Sequence, residues 1–432
     1  MLRIITITIL ILLLLIPVAM VKDLIREREQ RQNSAIAEVS SKWGNSQTIK
    51  GPVLTVPYRT YTKITLDDDK FKMRENRNYA HFLPEALSID GIVEPESRYR
   101  GIYKVIVYNS KVQLEGEFKK PSFEEWKIDD EDILWDEAFV SLELSDLRGL
   151  QETVKLQWYD QDYQFDPGVE SRDVIEAGIS TRVTFDSSNK NVPFKLALNF
   201  NGSTDIGFVP LGKTTTVNLR SSWANPSFTG AFLPDERTIS KEGFTAKWEV
   251  LHLNRSYPQS FRGSYAGINQ SSFGVNLIVP VDTYRKSMRS AKYASLFITL
   301  TFIIFFFIQI LNRVRIHPIQ YIIVGLSLCI FYILLIALSE HLAFYKSYII
   351  SSTAIISMIT IYSHSIAKSL KLTCIIGGIL IILYVFIYTI LQLQDHALLL
   401  GSIGLFLIMS IVMYLSRKID WYNIQSIGGK KS

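Results

Sequence analysis

The sequence predicts a multi-pass membrane protein: an N-terminal anchor helix, a large antiparallel β-rich domain, and a C-terminal bundle of five transmembrane α-helices. Three observations predict it. The apolar residues, 48% of 432, crowd into the first 21 positions and into everything after about residue 292. Between those regions lie strand-length alternating runs with an ordinary soluble balance of charge and aromatics. The two cysteines, Cys329 and Cys374, both fall in apolar runs, so neither a disulfide framework nor thiol chemistry belongs to the middle segment.

The anchor comes first. Arg3 precedes the uncharged run IITITILILLLLIPVAMV. A cleaved signal peptide would carry a small-x-small site, but Ala19 follows Pro17 and Ile16, so a retained anchor over 1–22 is the better reading. The next stretch, KDLIREREQRQNSAIAEVSSKWG, mixes Leu24, Ile25, Ala35 and Ile36 with charges and suits a helix rising from the membrane.

A β-rich domain then runs to residue 291. GPVLTVPYRTYTKI, GIYKVIVYNSKVQLEGEF, AFVSLELSDL, STRVTFDS, FKLALNF, TTTVNLRSSW, FTAKWEVLHL and FGVNLIVPV have strand length, and Phe194, Leu196, Leu198 and Phe200 share one face. HFLPEALSIDG at 81–91 and AFLPDERTISKEG at 231–243 share a Phe-Leu-Pro-acid core. Either the domain is two related β units, or two short turns coincide.

Five further spans lie near 293–311, 319–338, 344–363, 372–393 and 397–415, within a bundle over 292–416. Each is long enough to cross a hydrocarbon core of about 30 Å. With the anchor this makes six, which puts both termini on one side. The short loops carrying Arg313, Arg315, Lys368 and Lys371, and the basic tail 417–432, belong in the cytoplasm by the positive-inside rule. The β domain, residues 23–291, then lies outside the cytoplasm. Arg285, Lys286, Arg289 and Lys292 argue the other way, but long translocated domains are largely exempt from the rule.

Composition and motifs exclude more than they assign. The net charge of +5 is scattered, so no nucleic-acid stripe exists. Nucleophile elbow, P-loop, H-E-x-x-H and dinucleotide fingerprints are all missing. The acidic run EEWKIDDEDILWDE, with Asp129, Asp130, Glu131 and Asp132, lacks the sixth-position glycine of an EF-hand and suits a solvated loop. His81 and His252 have no neighbouring ligand in sequence and suit packed or surface roles. No catalytic residue and no cofactor is expected.

In the spans, ionisable groups sit only at helix ends, which argues against an ion-coupled carrier. Thr353, Ser357, Thr360 and His364 share one helical face and, with the Cys374/Gly378 pair, suit helix–helix contact. His317, Pro318 and Gln320 have the pattern of a helix start. One metal-like constellation remains on the outer face, where Glu340 and His341 in one short loop and Asp395 and His396 in another could share an ion. The bland alternative is a helix-capping Asp395 among interfacial polar residues.

YAHFLPEALSIDGIV…RYRGIYKVIVYNS, SSWANPSFTGAFLPD, FGVNLIVPVDTY, KYASLFITLTFIIFF, RIHPIQYIIVGLSL…ALSEH and RKIDWY together resemble the CreD family of bacterial inner-membrane proteins, nearly end to end. The resemblance implies an inner-membrane location, a periplasmic soluble domain, and a link to envelope integrity and to the response to envelope or β-lactam stress. It carries no catalytic or binding residue. The expected role is non-enzymatic, with the lipid bilayer and an unidentified periplasmic or inner-membrane protein as partners. A transporter or lipid-handling cavity in the helix bundle is the alternative, and a cell-wall hydrolase a third reading.

Overall fold

The computed structural model describes residues 2–65, 71–185, 191–277, 283–312, 314–393 and 397–417. The chain forms two compact units, residues 1–33 with 281–432, and residues 34–280.

The helical unit holds the first part of α1 (Leu2–Trp43), then α2 (Thr283–Lys292), α3 (Ala294–Leu311), α4 (Pro318–Ser339), α5 (Phe344–Ala367), α6 (Leu370–Gln392) and α7 (Ala397–Ser416). Among the described residues, α1 and α3 to α6 are long and apolar enough to cross a membrane, and α7 contributes a shorter apolar stretch, Leu399–Tyr414. The interior is filled by rings. Tyr384 lies 4.7 Å from Phe297 and 4.9 Å from Phe331, centroid to centroid, and its carbonyl accepts the Tyr348 hydroxyl at 2.8 Å.

Local chemistry sets the helix ends. His317 caps α4: its Nδ1 accepts the Ile319 amide at 3.3 Å, while the Gln320 side chain accepts the His317 amide at 2.9 Å, with Pro318 in the first turn. The basic segment before α3 is itself a helix, α2, which packs on α4 and α6 through Thr283, Tyr284, Ser287, Ser290 and Ala291. Arg289 donates to the Leu391 carbonyl at 3.2 Å, so this cation serves the C-terminal end of α6.

Two expectations within the spans are corrected. Thr353 and Ser357 are exposed, whereas Thr360 lies against Gly377 of α6 and His364 Nδ1 is 3.2 Å from Thr373 Oγ1 of α6, so only the second half of that face makes helix–helix contact; the buried stripe of α5 runs through Ser347, Ser351, Ile355, Ile359 and Ser363. The tight glycine contact is also one residue away. A Cβ on Gly377 would meet Thr360 Oγ1 at 3.0 Å, whereas Gly378 faces open space.

The β unit contains two sheets. The nine-stranded one runs β13 (Pro226–Gly230), β17 (Phe273–Leu277), β11 (Asp205–Phe208), β1 (Gln47–Thr65), β5 (Phe139–Leu144), β9 (Ile179–Arg182) and β8 (Asp166–Pro167). Outside that path, β2 (Phe71–Phe82) pairs with β1, and β16 (Ser260–Arg262) pairs with β2. The eight-stranded sheet runs β14 (Glu236–Ser240), β15 (Gly243–Leu251), β12 (Thr214–Ser221), β3 (Ala86–Arg100), β4 (Tyr103–Lys119), β10 (Asn191–Ser203), β6 (Lys155–Trp158) and β7 (Gln161–Gln164). Among described residues the pairings are antiparallel except β1 with β11 and β3 with β12.

Alternation builds the core. On β10, Phe194, Leu196, Leu198 and Phe200 are buried while Lys195 and Ala197 are exposed. Trp158 and Trp248 are fully buried with them, and Trp158 donates to the Thr184 carbonyl at 3.0 Å.

The two Phe-Leu-Pro-acid segments occupy matching places. Each carries the chain out of a strand of the nine-stranded sheet (β2 or β13) into the first strand of a hairpin in the other sheet (β3–β4 or β14–β15). The Glu85 amide donates to the Glu117 carbonyl at 2.9 Å, beside the Ala86–Glu117 pair. The Asp235 amide donates to the Lys247 carbonyl at 2.9 Å, beside the Glu236–Lys247 pair. Bond and register are the same. Their surroundings differ, because β16 lies on β2 and Leu83 is 5% exposed, whereas Leu233 is 66% exposed.

Candidate functional site

Glu340 closes the end of α4, and its carboxylate, 10% exposed, accepts the Tyr284 hydroxyl at 3.1 Å and lies 3.7 Å from Arg28 Nη1. It therefore ties α1 and α2 to α4. The charge of Arg28 and the phenol satisfy a carboxylate that would otherwise be costly to bury. His341 is exposed. Asp395 and His396 lie outside the described residues. Among the described residues no three His, Cys, Asp or Glu side chains gather as a metal site.

The β unit does contain a hydroxyl–imidazole–carboxylate chain that the sequence concealed. His81 on β2 stands directly opposite Thr55 on β1, with Nδ1 3.0 Å from Thr55 Oγ1. Its Nε2 is 3.2 Å from Asp173 Oδ2, and Ser171 Oγ donates to the same oxygen at 2.9 Å. A carboxylate only accepts, so Nε2 carries the proton and Nδ1 accepts from Thr55. That is the order of an activated nucleophile. Yet Thr55 and His81 are each 1% exposed, and the Phe261 ring sits 5.5 Å from the imidazole. No substrate reaches the hydroxyl. Burial lowers the imidazole pKa below its ordinary value, which the bond and charge of Asp173 only partly offset. The chain pins the loop before β9 onto the β1–β2 hairpin. His252 is half-buried in a short turn after β15.

A second polar knot fixes the strand that follows α1. Gln47 is fully buried; its Nε2 donates to the carbonyls of Asp146 and Asn201 at 2.9 and 3.0 Å, and its Oε1 accepts the Asp146 amide at 3.0 Å. Asp146 also takes the Asn45 amide at 3.1 Å and the Arg148 guanidinium at 2.8 Å. The Arg148 bond, followed by backbone amides, holds its carboxyl down to about 2. Gly44 permits this close approach: its φ is +143°, and a Cβ there would lie 2.5 Å from the Asn201 carbonyl oxygen. The helix itself is braced by the β3–β4 hairpin, where Arg98 stacks 4.1 Å over Trp43 and Arg100 pairs with Glu38 at 3.0 Å.

The acidic run folds as short helical turns, with Glu124, Asp129 and Asp130 exposed at the rim of an 870 Å³ groove floored by Phe123, Trp135 and Phe185.

In the helical unit, α6 and α7 meet tightly where a Cβ on Gly404 would strike the Phe386 ring. Along the N-terminal half of α6 a groove of about 850 Å³ opens between α3, α6 and α7. Its walls are apolar, mostly aliphatic with Phe307, and Asn312, Ser369 and Lys371 stand at one end.

Comparison with known proteins gives two findings. The family model described as inner membrane protein CreD matches residues 1–422. The inner membrane protein CreD of Escherichia coli (strain K12) is 31% identical over 413 residues, covering 94% of this chain and 90% of that protein.

Proposed function

The chain belongs to the CreD family of inner membrane proteins, and from that premise we propose that it supports cell-envelope integrity without catalysis, its β unit gripping an extended segment of a partner in the periplasm. The observation behind this reading is the unequal cover of the two Phe-Leu-Pro-acid segments. In the first, Ala80, His81 and Phe82 pair with β16, the Leu83 amide donates to the Gln259 carbonyl at 2.8 Å, and Phe261 joins the cluster around Leu83. In the second, β13 pairs on one side alone among the described residues, and Leu233 is exposed. A partner strand carrying an aromatic or aliphatic side chain would complete β13 as β16 completes β2. The short basic loops support the periplasmic placement, and the occluded Thr55 supports a role without catalysis.

The test is photo-crosslinking in living cells from a reactive residue at Leu233, with position 83 as the covered control. A partner adduct at 233, with none at 83, is the expected result. Adducts to lipid alone, or to nothing but the chain itself, would remove the proposal. A second reading, lipid handling by the helical unit, is favoured by the aliphatic groove between α3, α6 and α7.

A further inference from the structure

A groove in a membrane-spanning bundle is not surrounded by water, so its contents are decided by what the bilayer offers. The walls include Leu300, Phe307 and Leu311 of α3, Ile375 and Ile382 of α6, and Ile411 of α7. From Leu300 to Leu311 the groove follows about 16 Å of helix, half the depth of a hydrocarbon core of about 30 Å. Its volume lies within the range of small-molecule sites. Left empty, that space would forfeit the contacts its lining could make. Acyl chain is the material at hand.

The polar end is what makes the occupant specific. Asn312 ends α3, and its amide nitrogen spends one N–H on the Ile308 carbonyl at 3.3 Å, which leaves a second N–H to donate. Ser369 stands at the N-cap of α6 without a side-chain capping bond. Lys371, in the first turn of α6, is exposed and makes no ion pair among the described residues. Cation, hydroxyl and helix N-terminus all favour a negative group at the mouth, and space lined by apolar side chains lies directly behind it.

We propose that this groove is a binding site for an anionic phospholipid, with the phosphate at Lys371 and Ser369 and an acyl chain along α3 and α6. The inference rests on the lipid-handling reading and adds the class of lipid and the residue that selects it. An exposed Lys contributes roughly a fivefold preference for an anionic over a zwitterionic headgroup.

The full chain, purified in mild detergent and exposed to mixed micelles of phosphatidylglycerol and phosphatidylethanolamine in equal amounts, is examined by native mass spectrometry. The expected result is retained phosphatidylglycerol over phosphatidylethanolamine by about fivefold, with the preference abolished in Lys371→Glu. Ile375→Trp, at a side chain 43% exposed and therefore able to accept a larger ring, should lower retention of both lipids. Melting curves equal to those of the unaltered chain exclude misfolding as the cause. If Ile375→Trp lowers retention but Lys371→Glu leaves the ratio unchanged, the headgroup assignment is wrong and lipid handling stands. If neither variant changes retention, both fall.

Discussion

At the scale of single residues, His81 is the group whose charge the fold resists. Its folded pKa lies below the ordinary histidine value, so the folded state binds fewer protons than the unfolded chain between those two values. Stability is therefore full above about pH 6.5 and falls as pH drops through the folded pKa. The full chain in detergent should melt at a lower temperature at pH 5 than at pH 7.5. His81→Gln should be less stable at pH 7.5 yet flatter across that interval. An unchanged pH slope in the variant would show that other groups carry it. None of this was legible in sequence, because Asp173 lies far from His81 along the chain and nothing near either residue announces the other. Glu340 was hidden in the same way: the sequence put it beside His341, while its partners Arg28 and Tyr284 come from α1 and α2.

For elements, the junction between α1 and β1 is the place where one side chain too many should be felt. Gly44→Ala places a methyl group against the Asn201 carbonyl at a backbone angle that L-residues rarely adopt. It should cost about 2–3 kcal/mol. Gly101, at φ +60° with nothing within 4 Å, is the control and should cost about 1 kcal/mol or less. Denaturant unfolding of the full chain followed by tryptophan fluorescence separates the two, and equal losses would discount the Asn201 contact. Strands with clean alternation and spans with unbroken apolar runs were legible, since burial on one face writes itself into composition. β2, FKMRENRNYAHF, was not. It is polar because much of its length forms an exposed ribbon with β1, and pairing alone makes it a strand. On α5 polarity marked only part of the inward face: hydroxyls within a span bond back to their own helix, as buried Ser363 does to the Ile359 carbonyl at 2.6 Å, so exposed Thr353 and Ser357 look the same in sequence as buried Ser351 and Ser363.

For the whole molecule, orientation decides what the β unit can touch. With Cys374, exposed on α6, replaced by Ser and Cys329 buried, a Cys introduced at Gly101 should react with a membrane-impermeant maleimide in cells whose outer membrane is opened. A Cys at Lys368 should react only after the inner membrane is broken. The reverse pattern would turn the molecule over and take the periplasmic partner with it.

The parallel contact between β1 and β11 also imposes an order in time. Gln47, Thr48 and Ile49 pair with Ile206, Gly207 and Phe208, and β11 in turn pairs with Phe273–Asn276 of β17. At about 5–20 residues per second of synthesis, the first strand waits roughly 10–30 s for its neighbour. The last strand of the sheet arrives just before the chain turns into α2. A ribosome stalled before residue 277 therefore leaves β13 without its ladder and β11 with one side open, and a nascent chain in that condition is bait for chaperones and proteases. Quality control can thus read completion of the β unit from one strand.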